Sequence, residues 1–265
     1  MKIALISDIH AEFYRNEPDW LPPLPESPDV LVLAGDIHVG KSVIYFVERV
    51  SRALPNSHII FIAGNHEFYR QNRIATLSAY RDAFSESARI HFLENDSVDI
   101  NGIRFIGATL WTGFPLYSAQ FTSQQVMKYA KDTVSDFSLI ADDSGDNVVN
   151  FSPEKSKLLF EESKAKIKRL LSDFDPKKCV VITHFPPVKL LRNPRFSIDK
   201  LSSYFTADCL DIIEVYQPAY WFYGHNHWSA ITRTGDTTFV SNQVGYPNEH
   251  WKEGDDFNPN LVIEI

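Results

Sequence analysis

The chain has 265 residues, of which 44% are hydrophobic and 23% are charged, so it has the composition of a folded, water-soluble protein and not of a disordered or fibrous one. Lys and Arg total 26 against 34 for Asp and Glu, which gives a net charge of -8. The chain therefore lacks the excess of basic residues that nucleic-acid-binding proteins carry. Proteins that bind along a polyanion are therefore disfavoured.

The sequence also bears on the compartment in which the protein works. Cys179 and Cys209 are too few for a disulfide framework, which favours a reducing environment. Asp8 interrupts the first apolar run where a signal peptide would need more apolar residues, and no run reaches the roughly 18 to 20 apolar residues of a membrane span. We expect a cytoplasmic protein with no membrane partner, and nothing in the sequence indicates its oligomeric state.

The N-terminal part of the chain predicts three strands and one helix. The runs Lys2 to Ile6, Val30 to Ala34 and Ile59 to Ala63 consist mainly of β-branched and aliphatic residues, which is typical of strands buried on both faces. Ser42 to Leu54 repeats its apolar residues with the helical period, which predicts a helix between the second and third strands.

The rest of the chain continues this alternation. Residues 78–84 fall in a predicted helix, and Pro153 opens a long amphipathic helix that reaches about Phe174, with Ser152 as its N-cap. The other predicted strands are 103–110, 179–183, 220–223, 231–233, 237–241 and 261–265, of which the last three alternate like half-exposed antiparallel strands. These elements predict an α/β fold in a single domain spanning residues 1–265.

Residues 111–146 lack this regularity and are expected to form an insertion or a cap. Trp111, Phe114, Tyr117 and Phe121 in this segment could stack on a base or on an aromatic leaving group. Clustered aromatic residues, however, more often form local core.

Five of the predicted strands end in side chains that bind metal ions. The carboxyl ends of parallel strands share one edge of a sheet, so these residues should converge although they are far apart in the sequence. They are Asp8 and His10, Asp36, Asn65 with His66, His184, and His225 with His227.

The spacing and the types of these residues indicate an open metal site. In Asp8-Ile9-His10 and His225-Asn226-His227 the outer residues are two apart, so in an extended backbone both outer side chains would point to the same side. Carboxylate and imidazole ligands suit manganese, iron or zinc, and an oxygen-rich set that includes an amide does not favour a closed structural zinc site.

Each motif is weak alone, but the set in this order is specific. The sequence resembles the calcineurin-like metallophosphoesterase superfamily, whose motifs run Asp-x-His, Gly-Asp, Gly-Asn-His-Asp/Glu, a His after a strand, and Gly-His-x-His. All of them occur between Lys2 and about Ser241. The resemblance implies a four-layer α/β/β/α sandwich with two mixed sheets.

The resemblance also implies two divalent metal ions that share one ligand. The implied ligands are Asp8, His10, Asp36 and His227 for one ion, and Asp36, Asn65, His184 and His225 for the other. Asp36 would bridge the ions, and His66 would act as the general acid.

Two such ions about 3.5 to 4 Å apart clamp a phosphoryl group and generate a bridging hydroxide near neutral pH. We therefore expect a dinuclear-metal-dependent phosphoesterase that hydrolyses small soluble phosphomonoesters or phosphodiesters through a metal-bridging hydroxide. The alternatives are a non-catalytic metal-binding interaction module of the same fold, from which ligands should be missing, and a nuclease, which the acidic composition disfavours. Gly35 to Gly40 lacks the Arg of the protein Ser/Thr phosphatase branch, which also disfavours that branch.

The segment after His184 is locally basic in an acidic chain. Arg192 and Arg195, together with Lys189 and Lys200, either form a solvated loop or bind the phosphate or a second charged group of the substrate. The sequence does not identify the natural substrate or the metals that the protein uses.

Overall fold

The computed structural model describes residues 1–14, 16–17, 19–144, 147–249 and 257–265. Gly145 and Asp146, at the end of the predicted insertion, therefore lie outside the described residues. Within the described ranges, none of the helices combines the length and the apolar character that crossing a membrane requires.

The helices and strands follow one another in mixed α/β order. The helices are α1 (Ser42–Ala53), α2 (Arg73–Phe84), α3 (Ser123–Thr133), α4 (Asp136–Leu139), α5 (Pro153–Ser172) and α6 (Leu210–Tyr216). The strands are β1 (Lys2–Ile6), β2 (Val30–Ala34), β3 (His58–Ile62), β4 (Ile90–Phe92), β5 (Asp96–Ile100), β6 (Ile103–Ala108), β7 (Ala141–Ser144), β8 (Asn147–Asn150), β9 (Cys179–Thr183), β10 (Tyr220–Phe222), β11 (Ala230–Thr234), β12 (Thr237–Ser241) and β13 (Val262–Glu264).

Two large mixed sheets form the centre of the fold. The first has the strand order β13-β1-β2-β3-β4, in which β1 to β4 are parallel and β13 is antiparallel to β1. The second has the order β11-β12-β10-β9-β6-β5, in which both edge strands are antiparallel to their neighbours. In addition, β7 and β8 pair as a small hairpin.

The sheets pack face to face because alternate side chains of each strand point to opposite faces. Leu5 and Val32 of the first sheet lie with Phe105 and Val180 of the second in one buried cluster. The outward faces pack against helices, α1 and α2 on the first sheet and α5 with α6 on the second. This arrangement confirms the predicted four-layer α/β/β/α sandwich.

The sequence patterns located most of these elements but not all. The N-cap predicted at Ser152 is present, since its side chain accepts a hydrogen bond from the Lys155 amide. The predicted strand 103–110 ends at Ala108, because Leu110 and Trp111 adopt left-handed backbone with φ of 71° and 57°. The patterns do not predict helix α3, nor the short elements α4, α6, β4, β5, β7 and β8, as separate elements.

Residues 111–144 bring apolar side chains into the main core. Trp111 and Phe114 are 1% and 3% exposed, so both belong to the core. For these two residues the structure favours local core over stacking on a substrate. Phe137 on α4 is also buried there. The same short helix begins with Asp136, a fully buried carboxylate.

Candidate metal centre

The carboxyl ends of β1, β2 and β3 meet those of β9 and β10 at one edge shared by both sheets. Backbone hydrogen bonds fasten the loops that follow these strands. The Asp8 amide donates to the Gly35 carbonyl at 3.0 Å, and the Gly224 amide donates to the His184 carbonyl at 2.9 Å. The His225 amide donates to the Asp8 carboxylate at 2.9 Å, which joins the first sheet to the second.

One group of ligand atoms comes from Asp8, His10 and His227. These atoms all lie within 4.8 Å of one another. The Nε2 atoms of His10 and His227 are 3.1 Å apart, and the His227 Nε2 atom lies 3.5 Å from Asp8 Oδ1. We call this group the first cluster.

The second cluster consists of Asp36, His184 and His225, whose ligand atoms also lie within 4.8 Å of one another. His184 Nε2 lies 3.3 Å from Asp36 Oδ2. Asn65 extends the second cluster, because its Oδ1 atom lies 3.1 Å from His184 Nε2. The structure thus brings together the seven residues that the motifs singled out as ligands.

A single carboxylate oxygen reaches both clusters. Asp36 Oδ2 lies 3.3 Å from His184 Nε2 in the second cluster and 3.8 Å from His10 Nε2 in the first. The other oxygen, Oδ1, accepts a hydrogen bond from the His66 amide at 2.9 Å, which fixes the orientation of the carboxylate. Asp36 therefore lies between the two clusters, with one carboxylate oxygen near an imidazole of each.

Five of the seven candidate ligand residues adopt left-handed backbone, which is uncommon for residues with a side chain. Their φ angles are 52° at Asp8, 48° at His10, 54° at Asp36, 76° at His225 and 50° at His227. The expectation that extended backbone aligns residues two apart is therefore wrong in both motifs. The side chains converge because tight turns hold them, and each such turn costs about 1 to 3 kcal/mol.

Three ligand imidazoles are oriented by a hydrogen-bond partner on the ring nitrogen that faces away from the clusters. In each ring Nε2 faces the cluster and Nδ1 contacts an acceptor, an arrangement that fixes the tautomer of metal-binding histidines. The partners are Glu12 for His10, the Ala34 carbonyl for His184, and Glu249 for His227.

The fourth imidazole shows that the residues fit a metal ion. His225 Nε2 is buried and has no hydrogen-bond partner among the described residues. Burial lowers the pKa of His225 well below its usual value, so the ring is neutral and keeps a lone pair available. An orphaned neutral imidazole beside a carboxylate suits a divalent cation, which would satisfy it.

The glycines of the motifs allow the ligand side chains to approach the backbone. A Cβ atom at Gly224 would lie 2.6 Å from Asp8 Oδ2, and one at Gly64 would overlap Asp36 Oδ1. Any larger residue at either position would displace a candidate ligand.

Glu67 fastens two of the ligand loops to each other. Its buried carboxylate accepts hydrogen bonds from the amides of Asp36 at 3.0 Å, Ile37 at 2.7 Å and Gly64 at 2.7 Å. Glu67, the last residue of the Gly-Asn-His-Glu motif, therefore holds the loop of Asp36 against its own loop.

His66 lies beside the clusters and is held by two groups that the sequence analysis missed. Its Nδ1 atom lies 2.9 Å from Glu12 Oε1, and its Nε2 atom lies 3.2 Å from the Tyr246 hydroxyl. Although burial opposes both shifts, hydrogen bonds with His10 and His66 lower the pKa of Glu12 to about 2, and Asp36 and Glu12 raise that of His66 to about 9. His10, Glu12 and His66 form a third group of ligand atoms within 4.8 Å, in which Glu12 contacts both rings.

Asp136 is a further buried residue at the site that no sequence motif indicated. Its Oδ1 atom accepts hydrogen bonds from Asn65 Nδ2 at 3.1 Å and from the Tyr69 hydroxyl at 2.8 Å, and Oδ2 accepts one from Tyr204. Asn65 Nδ2 also lies 3.3 Å from the Tyr69 hydroxyl. Both amide hydrogens of Asn65 are thus used on this side, which leaves Oδ1 facing His184.

The two candidate substrate-binding arginines occupy different environments. Arg192 lines a cavity that also contacts His225 and His227. The Arg195 guanidinium instead lies over the Trp228 ring, 4.8 Å from its centroid, and does not line that cavity.

Comparison with known proteins identifies the family. A sequence model of the calcineurin-like phosphoesterase family matches residues 1–229, which include every motif described above. Similar proteins include an uncharacterized protein of Acanthamoeba polyphaga mimivirus, 24% identical over 99% of this chain and 96% of that protein. A UPF0046 protein of Caenorhabditis elegans is 24% identical over 91% of this chain and 69% of that protein.

A solved structure shares the fold. Phosphopantetheinyl hydrolase (PptH) from Mycobacterium tuberculosis superimposes with a TM-score of 0.73 at 18% identity, covering 93% of this chain and 90% of that one. Since the family's sequence model spans most of the chain and the metallophosphoesterase architecture is present, the chain belongs to the calcineurin-like phosphoesterase family.

Proposed function

We propose that this protein is a phosphoesterase that binds two divalent metal ions and hydrolyses small phosphomonoesters or phosphodiesters. The observation that carries the proposal is the position of Asp36, whose Oδ2 atom reaches the imidazoles of both clusters. Membership of the calcineurin-like phosphoesterase family supports it. The residues that would hold the ions are Asp8, His10, Asp36 and His227 for one, and Asp36, Asn65, His184 and His225 for the other.

Two adjacent divalent ions polarise phosphoryl oxygens and lower the pKa of a water molecule to near neutrality. The chain contributes the orientation of the ligands. Asp36 is fixed through its second oxygen, and three ligand imidazoles are fixed through Nδ1, so little reorganisation is needed when a substrate binds. Manganese, iron and zinc all suit this set of oxygen and imidazole ligands.

His66 is proposed to donate the proton that the leaving oxygen requires. Glu12 accepts a hydrogen bond from Nδ1, and because the pKa of His66 is raised to about 9, the ring is also protonated at Nε2, on the side that contacts the Tyr246 hydroxyl. General acid catalysis of this kind contributes about 10² to 10⁴ in rate. Arg192 and Arg195 remain proposed contacts for a charged group of the substrate, and Arg192 is the one on the cavity wall.

The proposal is tested by metal analysis combined with a panel of substrates. The purified protein is expected to contain two ions per chain, to lose hydrolysis of p-nitrophenyl phosphate or bis(p-nitrophenyl) phosphate on chelation, and to regain it with Mn²⁺, Fe²⁺ or Zn²⁺. Asp36→Asn should abolish activity, whereas Asp82→Asn, an exposed aspartate on α2, should have no effect. Full activity in a metal-free protein would overturn the proposal.

The same panel addresses the two alternatives. A protein that binds two ions but hydrolyses none of the esters and cleaves neither DNA nor RNA would be an interaction module. A protein that cleaves DNA or RNA far faster than small esters would be a nuclease, which the net charge of -8 opposes. Cys179 and Cys209 are both free and buried, which supports the proposal of a cytoplasmic location.

A further inference from the structure

A cavity of about 370 Å³ opens beside the candidate metal centre. His225 and His227 form part of its wall. Leu201, Phe205 and Tyr246 line both this cavity and the mouth of the metal centre. A molecule whose phosphoryl group lies at the clusters can therefore extend directly into the cavity.

The surface that this cavity offers to a ligand is mainly apolar. Phe196 and Phe205 on its wall remain 61% and 37% exposed, although aromatic side chains of this size are usually buried. Leu201, which lines the cavity with them, is half-buried. A ligand that covers these side chains removes apolar surface from water, which favours binding in proportion to the area covered.

The carboxylates on the cavity wall are already engaged within the protein. Asp199 accepts hydrogen bonds from the amides of Leu201 at 2.8 Å and Ser202 at 3.0 Å. Glu249 accepts one from the Tyr246 amide at 2.9 Å and also contacts a metal-ligand imidazole. The two carboxylates therefore offer few free acceptors for the hydroxyls of a sugar, and they offset the charge of Arg192, whose guanidinium already donates to the carbonyls of Asn193 and Phe196 in its own loop.

The loop that carries Phe196 is fixed relative to the metal centre. Arg192 Nη1 donates to the carbonyl of Phe196 at 2.9 Å, which closes the loop on itself. Asn193 Nδ2 donates to the carbonyl of Asn226 at 2.9 Å, and Asn226 stands between two candidate metal ligands. The cavity is thus built at a fixed distance from the clusters, as a specificity pocket requires.

We infer that this cavity binds the alcohol part of the substrate, so that phosphoesters of apolar alcohols are hydrolysed in preference to those of sugars or polyols. The inference rests on the proposed phosphoesterase function and adds the chemical class of the ester group.

A series of straight-chain alkyl phosphates from ethyl to octyl tests the inference. The basicity of the leaving alcohol changes little along this series, so differences in kcat/KM report contacts of the chain and not reactivity. We expect kcat/KM to rise about two- to fourfold per added methylene until the cavity is filled. Hexyl phosphate should exceed sorbitol 6-phosphate, which has the same six carbons with hydroxyls on the remaining five, by at least tenfold.

Binding can be measured without turnover. The corresponding alkyl phosphonates cannot be hydrolysed, and calorimetry of the metal-loaded protein should show their affinity rising with chain length in parallel with kcat/KM. Affinity that does not depend on chain length would contradict a cavity that binds the alcohol part.

A matched pair of variants locates the effect in the cavity. Phe196→Ala should lower kcat/KM for octyl phosphate about tenfold and for ethyl phosphate less than twofold, because only the longer chain reaches this side chain. Phe196→Leu should restore most of the loss. Ile198→Ala is the control, since Ile198 is 50% exposed on the same loop but does not line the cavity.

The outcomes separate this inference from the function on which it rests. Hydrolysis that is independent of chain length, faster hydrolysis of sorbitol 6-phosphate, or equal effects of Phe196→Ala and Ile198→Ala would overturn the inference and leave the phosphoesterase function in place. A metal-loaded protein that hydrolyses no member of the series and neither p-nitrophenyl phosphate nor bis(p-nitrophenyl) phosphate would overturn both.

Discussion

The hydrogen bond between Asn65 and Asp136 can be tested by exchanging its donor and acceptor. Asn65 Nδ2 donates to Asp136 Oδ1 at 3.1 Å, and this contact turns the amide oxygen toward His184. In Asp136→Asn the acceptor becomes an amide, so the orientation of Asn65 is no longer fixed. In the double variant Asn65→Asp with Asp136→Asn, the new amide donates to the new carboxylate and an oxygen ligand still faces the second cluster.

The expected magnitude follows from the burial of this contact. Asp136 is 0% exposed, and burial raises the pKa of its carboxyl although hydrogen bonds from Tyr204 and Tyr69 oppose the shift. A hydrogen bond that involves a charged group contributes about 1.5 to 3 kcal/mol. This corresponds to roughly 10- to 100-fold in metal affinity, the range observed when an outer partner of a metal ligand is removed.

Calorimetric titration with Mn²⁺ provides the assay, because two unequal sites give two separate binding steps. Asp136→Asn should weaken one step about 10- to 100-fold and leave the step assigned to the first cluster within about threefold of wild type. The double variant should recover the weakened step to within about tenfold. Thermal melts of the metal-free proteins serve as the control for folding.

Two results would refute this reasoning. If Asp136→Asn weakened both steps equally, Asp136 would act on the whole fold and not on Asn65. If the double variant bound metal no better than Asp136→Asn while melting at the same temperature, the contact would not orient the ligand.

Four further predictions concern the centre and the substrate. Asp36→Asn should remove both ions together, measured by elemental analysis, and retention of one ion would exclude a bridging role. His66→Asn should slow the hydrolysis of alkyl esters about 10²- to 10⁴-fold and that of p-nitrophenyl esters much less, while the protein still contains about two ions per chain. Equal loss of activity on both kinds of ester, together with loss of metal, would assign His66 to ligand orientation. Gly64→Ala should lower metal affinity in equilibrium dialysis, since its Cβ would overlap Asp36 Oδ1, and unchanged affinity would show that the loops can shift. Arg192→Ala should raise KM for an anionic substrate more than Arg195→Ala does, because only Arg192 lines the cavity, and initial-rate kinetics giving the reverse order would contradict this placement.

The candidate ligands could be found from the sequence because each follows a strand with a clear apolar pattern. Once β1, β2, β3, β9 and β10 are recognised, their carboxyl ends can be placed at one edge without knowledge of side-chain geometry. The way in which the ligands converge could not be predicted in the same manner. The left-handed backbone of Asp8 and His225 depends on hydrogen bonds between loops that are distant in sequence.

Several residues that support the candidate ligands left little signal in the sequence. Asp136 and Tyr246 lie far along the chain from the motif residues that they contact and reach the centre through tertiary packing. Glu12 follows His10 by only two residues, but its contact with His66 also depends on tertiary packing. The short elements were missed for a related reason. Strand β4, for example, has three residues, which is too short for a periodic pattern to develop.

The ligands of each cluster come from both sheets, and this has a consequence for the order of events during folding. In the first cluster Asp8 and His10 follow a strand of the first sheet, whereas His227 follows a strand of the second. In the second cluster Asp36 likewise meets His184 and His225 across the boundary between the sheets. Neither sheet alone presents a complete set of candidate ligands, so metal binding would follow the docking of the two halves of the sandwich and would not guide either half to its structure. Bound ions would then lower the rate at which the sheets separate during unfolding, without raising the rate at which they assemble.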